Sequence, residues 1–213
     1  MSCLRTAKWM TLAAILAAPG LFAQRWEFGG AGGASFYNKQ SIAAPAGSVD
    51  AKFNPGFALS AYFGQIGNRL GDEMRYDFHI NEMELAGLGK SVKMDGRSQS
   101  FNYNVLVYFA KSDSKVRPYV LGGAGMRFYQ GTSSAGVVQP LMSTAVLTKT
   151  NQWKPLIVAG GGVRIAASQH VHVRAEFRVN MTETPTEIIT PVSGKLDGWY
   201  FNFAPMVGIS YVW

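Results

Sequence analysis

The chain has 213 residues and a single cysteine, Cys3, and charged side chains make up only 15% of it. One cysteine excludes a disulfide framework. Globular proteins average about 25% charged residues, so the chain is poor in the groups that keep a soluble surface wet. Beyond the N-terminal region no apolar run reaches 18 residues, and no 3.6-residue periodicity persists. With a mean hydropathy of +0.03, this excludes a bundle of transmembrane helices. There is no linker, no low-complexity tract and no change of compositional regime, so a single folded domain is expected. No long basic run or RNA-type aromatic motif supports nucleic-acid binding.

The first residues read as a cleavable leader. Arg5 and Lys8 precede a short apolar run, Met10 to Ala18, and "PGLFAQ" follows with a small residue, Ala23, at the expected cut. This divides the chain into a signal peptide, 1–23, and a folded domain, 24–213. Cys3 leaves with the signal. Loss of Arg5 and Lys8 lowers Lys plus Arg from 20 to 18 against 13 acids, so the net charge falls from +7 to +5. A basic exported protein could meet anionic lipid headgroups or lipopolysaccharide, although scattered lysines also suit ordinary solvated loops.

What the chain does contain is alternation. Gly198 to Trp213, "GWYFNFAPMVGISYVW", places Trp199, Phe201, Phe203, Val207, Ile209, Tyr211 and Trp213 on one face. Period 2 is the signature of a β-strand. Eight such segments are expected: 25–37, 51–65, 69–87, 97–110, 117–130, 152–166, 170–182 and 198–213. The connections at 38–50, 88–96, 131–151 and 183–197 are long loops, and those at "QIGN", "KSDSK" and "AASQH" are short. In the seventh segment Val171, Val173, Ala175, Phe177, Val179 and Met181 alternate with His172, Arg174, Glu176, Arg178 and Asn180. A soluble barrel would turn the charges outward. Here the apolar face is wide enough for a bilayer, and the charges pair inside a closed eight-stranded barrel. Closure leaves no unpaired strand edge in lipid, and the terminal aromatics form girdles at the two interfaces.

On "RPYVLGGAGMRF" (Arg117 to Phe128), "VHVRAEFRV" (Val171 to Val179) and the terminal "GISYVW", the chain resembles the eight-stranded outer-membrane β-barrels of Gram-negative bacteria, the OmpA-barrel and OmpX-like group. The resemblance runs from about Arg25 to Trp213. It implies an all-β, antiparallel up-and-down transmembrane barrel in the outer membrane, reached by export. It also implies insertion by the barrel-assembly machinery, which reads a C-terminal aromatic; Phe is usual there and this chain has Trp213. Outer-membrane lipid and lipopolysaccharide are the implied surroundings, and a monomer is expected. The peptidoglycan-binding domain of full-length OmpA is not expected after Trp213.

The interior candidates are Glu27, Arg75, Asp77, His79, Arg127, Arg164, Arg174, Glu176 and Arg178. They would form either a pore lining or a salt-bridged plug, and an eight-stranded interior is just wide enough for side chains to fill, which favours the plug with mutual pairing. His170, His172 and Glu176 raise a lipid-modifying enzyme as a third possibility. No serine stands two residues after either histidine, Ser168 sits in a turn, and His172 and Glu176 point inward, away from lipid. Two histidines on one strand make a weak metal site. The glycine-rich "GGAGGAS" (Gly29 to Ser35) and "GGG" (Gly160 to Gly162) lack the Lys-Ser/Thr and the helix of a phosphate loop. No catalytic, cofactor-binding or metal-binding residue is assigned, and no cofactor. Pro205 is awkward in a ladder, and a bulge is expected there. The expected role is structural or surface-interacting and non-enzymatic. A narrow channel for small or hydrophobic solutes is the alternative, and a secreted, soluble, lipid-carrying barrel is the remaining one.

Overall fold

The computed structural model describes residues 25–44, 47–87, 89–131, 145–192 and 198–213. The expected leader, with Cys3, lies outside the described residues. In chain order the strands are β1 (Arg25–Tyr37), β2 (Gln40–Ala44), β3 (Gly47–Phe53), β4 (Gly56–Ile66), β5 (Leu70–Gly87) and β6 (Lys90–Tyr108). They are followed by β7 (Val116–Gly131), β8 (Ala145–Leu147), β9 (Asn151–Ala166), β10 (Val171–Glu183), β11 (Ile189–Pro191) and β12 (Trp199–Val212).

Eight of these close a ring in chain order, β1-β4-β5-β6-β7-β9-β10-β12, every neighbour antiparallel. β12 pairs with β1 across the closure, from Glu27↔Val212 to Tyr37↔Asn202. Below the last rung, Trp26 and Trp213 exchange two backbone hydrogen bonds of 3.1 Å. Both described ends of the ring therefore lie at the end of the short turns. The alternation of the sequence is the alternation of the wall. Along β10, His172, Arg174, Glu176, Arg178, Asn180 and Thr182 are buried inside, while Ala175 and Phe177 are exposed outside.

Three expectations change. The segments 38–50 and 88–96 are not loops. β2 and β3 form a hairpin that pairs with the upper part of β5. β5 and β6 stay paired without interruption from Leu70↔Val107 to Gly87↔Lys90. The turn between them includes Gly89, whose φ of 73° suits a residue without a Cβ. The 19 residues of β6, at about 3.4 Å each and tilted by about 40°, climb about 50 Å, twice the apolar band of a barrel of this type. The wall thus continues beyond the height of such a band as paired strand, because each extension finds a neighbour to bond.

The third change concerns proline. Pro205 makes no bulge: the β1–β12 register is the same at Gly33↔Met206 and at Phe36↔Phe203, with only the rungs between them unpaired, and the β10–β12 ladder runs straight through Phe177↔Pro205. Gly33 accommodates the close backbone there, since a Cβ on it would stand 2.0 Å from the Pro205 carbonyl oxygen. The bulge lies instead at Asn54–Pro55. Phe53 pairs with Met83 and Phe57 with Ile80, so four steps on one strand face three on the other. It divides the expected second strand into β3 and β4.

Candidate functional site

The ring is filled by ionic and polar side chains, and all nine interior candidates are buried in it. Their hub is one residue the sequence reading passed over, Glu73. Its carboxylate accepts Arg174 at 2.8 Å and Arg178 at 3.1 Å, with Arg75 at 3.5 Å. Glu176 takes Arg75 at 2.6 Å and Arg174 at 3.5 Å. Asp77 takes Arg75 Nε at 2.9 Å, and also receives the Ser60 hydroxyl at 2.6 Å and the Asn102 amide at 2.8 Å. The network therefore joins β5 to β10 across the lumen. Tyr119 donates to Glu176 at 2.9 Å and accepts from Arg174 at 3.3 Å. Arg174 also lies over the ring of Tyr62, 4.4 Å from its centroid. Gly29 makes room for that phenol, since a Cβ there would stand 2.5 Å from Cζ.

Nearer the short turns, Arg164 binds Glu27. Arg117 donates to the carbonyls of Gly67 and Asn68 at 2.8 Å and stacks over Tyr108 at 4.1 Å. At the opposite end of the ionic layer, Arg127 donates to His79 Nε2 at 3.2 Å and to the Tyr37 hydroxyl at 3.3 Å, and His79 Nδ1 meets Ser35 at 3.2 Å. General mutual ion pairing was expected. Arg127 and Arg117 depart from it: among the described residues neither has a carboxylate within ion-pair distance, and imidazole, phenol and carbonyl groups take its place.

Above the ionic layer is a second element that the sequence reading did not find. Ala51, Phe53, Met83, Leu85, Met94 and Tyr129 form an apolar cluster with Leu147, Ile188, Ile189 and Tyr200. Phe53 and Tyr200 meet edge to face at 5.2 Å. β8 and β11, a two-stranded sheet from two long connections, bring Leu147 and Ile189 into register over it. The cluster caps the ring at the level where β5 and β6 extend beyond it.

The residues of the enzyme reading do not converge. Ser168 Oγ accepts the backbone N–H of His170 at 3.3 Å and of Val171 at 3.0 Å. His170 Nδ1 donates to the Val212 carbonyl at 2.9 Å, and its ring stacks on Tyr211. His172 is buried inside the ring. Among the described residues no three His, Cys, Asp or Glu side chains could hold a metal ion. Both glycine-rich runs are strand, in β1 and β9. Outside, an aromatic row follows the rim at the short turns: Tyr211 to Trp213 at 6.1 Å, Trp213 to Phe63 at 6.3 Å and Phe63 to Trp26 at 5.0 Å. At the other rim Phe128 packs on Trp153 at 4.7 Å.

A closed antiparallel ring with a polar filling and an apolar, aromatic-rimmed exterior defines the fold of the eight-stranded outer-membrane β-barrels. Two solved structures make the likeness concrete. The neisserial surface protein NspA superposes with a TM-score of 0.55 at 16% identity, over 88% of this chain and 96% of that one. The outer membrane protein OprG from Pseudomonas aeruginosa superposes with a TM-score of 0.56 at 13% identity, over 90% and 97%. No family model matches the chain, and no curated protein matches it in sequence.

Proposed function

We propose that the protein is an integral outer-membrane barrel with a structural or surface-interaction role, exported by its N-terminal leader and not an enzyme. The observation that carries this is the change of side-chain polarity along β5 and β6. Outward residues are apolar from Met74 to Ile80 and then become Glu82 and Glu84; on β6 they run from Val107 to Phe101 and then become Gln99, Arg97, Asp95 and Lys93. The extended wall is thus built as a water-facing platform on a lipid-facing barrel. The capped, salt-bridged interior favours a plug over a conduit. Short turns and both described ends of the ring would face the periplasm. Arg97 and Lys93 stand where the outer leaflet presents lipopolysaccharide phosphates, and the outward Tyr211 and Trp213 would serve the assembly machinery. NspA, a surface protein by its name, shares the fold.

Membrane fractionation with heat-modifiable gel mobility tests this directly. The folded chain should be recovered in the outer membrane and run faster unheated than boiled. Protease added to intact cells should spare Lys111 and Lys115, in the short turn after β6. Recovery as a detergent-independent soluble protein would overturn the proposal, and steady single-channel conductance in a planar bilayer would replace the plug with a channel.

A further inference from the structure

The outward face of the ring carries one charge that nothing in the fold accounts for. Below the rung of Ile80, the described outward positions of the ring strands are uncharged except at Asp72 of β5 and, where that rung is followed through β6, β7 and β9, at Glu183 near the far end of β10, which pairs with Lys154 at 3.3 Å. Its carboxylate takes a hydrogen bond from the Gln65 backbone, and it forms no ion pair among the described residues. The carboxylates inside the ring meet arginines, and Glu82 and Glu84 on the extension meet lysines. An ionisable side chain on a lipid-facing wall carries a desolvation cost and marks a functional site by default.

Its position gives the site a depth. The rung of Asp72 also carries Trp26, Gln65 and Val105, so the carboxylate lies level with the aromatic row at the short-turn rim. The next outward rung is Phe28, Phe63, Met74, Tyr103 and Ala124, and the one beyond it holds Ala61, Tyr76 and Phe101. Between these rungs the wall is grooved. Ala61 forms a low floor between the aromatic rings, and the groove has a volume of about 460 Å³. Met74 follows Asp72 by two residues, about 7 Å along the strand. Asp72 is not itself in the groove's lining; it stands one outward position below Met74, the lining residue nearest to it along β5, so a carboxylate at the rim adjoins an apolar groove on the wall above it.

We infer that Asp72 and this groove bind a phospholipid whose headgroup carries a primary ammonium. The ammonium pairs with the Asp72 carboxylate, the Gln65 side-chain amide meets the headgroup phosphate, and one acyl chain lies along Met74, Tyr103 and Phe101. The carboxylate repels headgroups that are anionic without an ammonium. A quaternary ammonium, which has no N–H, makes no hydrogen bond to it. This inference rests on the proposed membrane placement of the barrel, with its short turns toward the phospholipid leaflet.

The test uses the full chain, refolded in detergent micelles doped with equal amounts of phosphatidylethanolamine, phosphatidylglycerol and phosphatidylcholine. Native mass spectrometry then counts the retained lipids. Phosphatidylethanolamine should be retained about fivefold over either competitor, the factor that an interfacial ion pair supplies. Asp72→Asn should bring the three to parity while heat-modifiable mobility is unchanged, and Asp113→Asn in a short turn should leave the preference intact. Equal retention by the wild type, or a preference that survives Asp72→Asn, overturns the site. So does a phosphatidylglycerol preference that a chelator abolishes, which would assign Asp72 to a bridging divalent cation. A chain that never acquires heat-modifiable mobility overturns the membrane placement and this inference with it. A folded barrel without the preference overturns the lipid site alone.

Discussion

The lower and upper halves of β5 have the same alternation and opposite chemistry. Below, the inward residues are Glu73, Arg75, Asp77, His79 and Asn81 and the outward ones, above Asp72 at the rim, are Met74, Tyr76, Phe78 and Ile80. Above, the inward residues are Met83 and Leu85 and the outward ones are Glu82 and Glu84. No residue is inserted into β5 between the halves, and its ladder with β6 is unbroken. On the proposed membrane placement, what changes is the solvent. Lipid accepts the apolar face and drives charge into the lumen, where arginines and carboxylates replace a core. Water accepts the charged face and lets an ordinary apolar core form inside. Backbone pairing holds the wall together in both halves, and the surroundings decide which face carries the charge.

The largest effect should come from the ionic half. Glu73→Ala leaves Arg174 and Arg178 without their closest carboxylate and takes one from Arg75, and breaking a buried pair in this way costs about 3–5 kcal/mol. Urea titration of the barrel folded in lipid vesicles should show this as a lower midpoint, with a gentler loss for Glu73→Gln, which keeps a hydrogen-bonding oxygen. A neutral Glu73→Ala would show that the lumen is solvated rather than a plug.

The outward faces give a matched pair on one strand. Tyr76→Arg, in the lipid-facing half, should cost about 2–4 kcal/mol, whereas Ala86→Arg, outward in the upper half, should stay within about 0.5 kcal/mol. Equal costs would abolish the contrast and place the bilayer edge elsewhere. The cap should be weaker still. Met83→Ala removes a buried side chain from a small cluster with room to collapse, so about 2 kcal/mol is expected, at the low end for such truncations. The loss should show as faster hydrogen exchange in β3 and the upper part of β5, with the lower rungs of β5 protected as before.

The eight strands and their inward and outward faces were legible because alternation is local: two residues decide a face. Glu73 was not. It follows Asp72 directly, and only the closed ring shows that one of these acids meets three arginines inside while the other stands on the outward face. The bulge was expected at Pro205 and lies at Asn54–Pro55 for a similar reason. Pro205 stands opposite Gly33, far away in the chain, where a missing Cβ lets the ladder pass without an extra residue. At Asn54 the Asn81 amide donates to the backbone carbonyl at 2.9 Å and holds the extra residue in place. The cap stayed hidden because its apolar positions come from seven separate segments, two of them three-residue strands inside what reads as loop.

The smallest expected effect is on the charged exterior of the upper half, and its sign is fixed. Hydrogen bonding from the Asn54 amide and pairing with Lys52 hold the Glu84 carboxyl below its ordinary value of 4.5; Lys93, then Asn54, does the same for Glu82. A carboxyl whose folded pKa is depressed contributes stability that is fully present above the unfolded pKa and is lost as pH falls through the folded one. Lowering the pH from 6 to 3 should therefore loosen the attachment of β3 to β5 across the bulge. The pairs are exposed and screened, so the change in amide exchange at Phe53, after correction for intrinsic rates, should be only about two- to fivefold. High salt should shrink it. Glu82→Gln with Glu84→Gln should flatten the pH response, because neither side chain then titrates. An exchange rate at Phe53 that rose with increasing pH instead would mean that the cap alone holds the upper wall, with its outward charges serving solubility only.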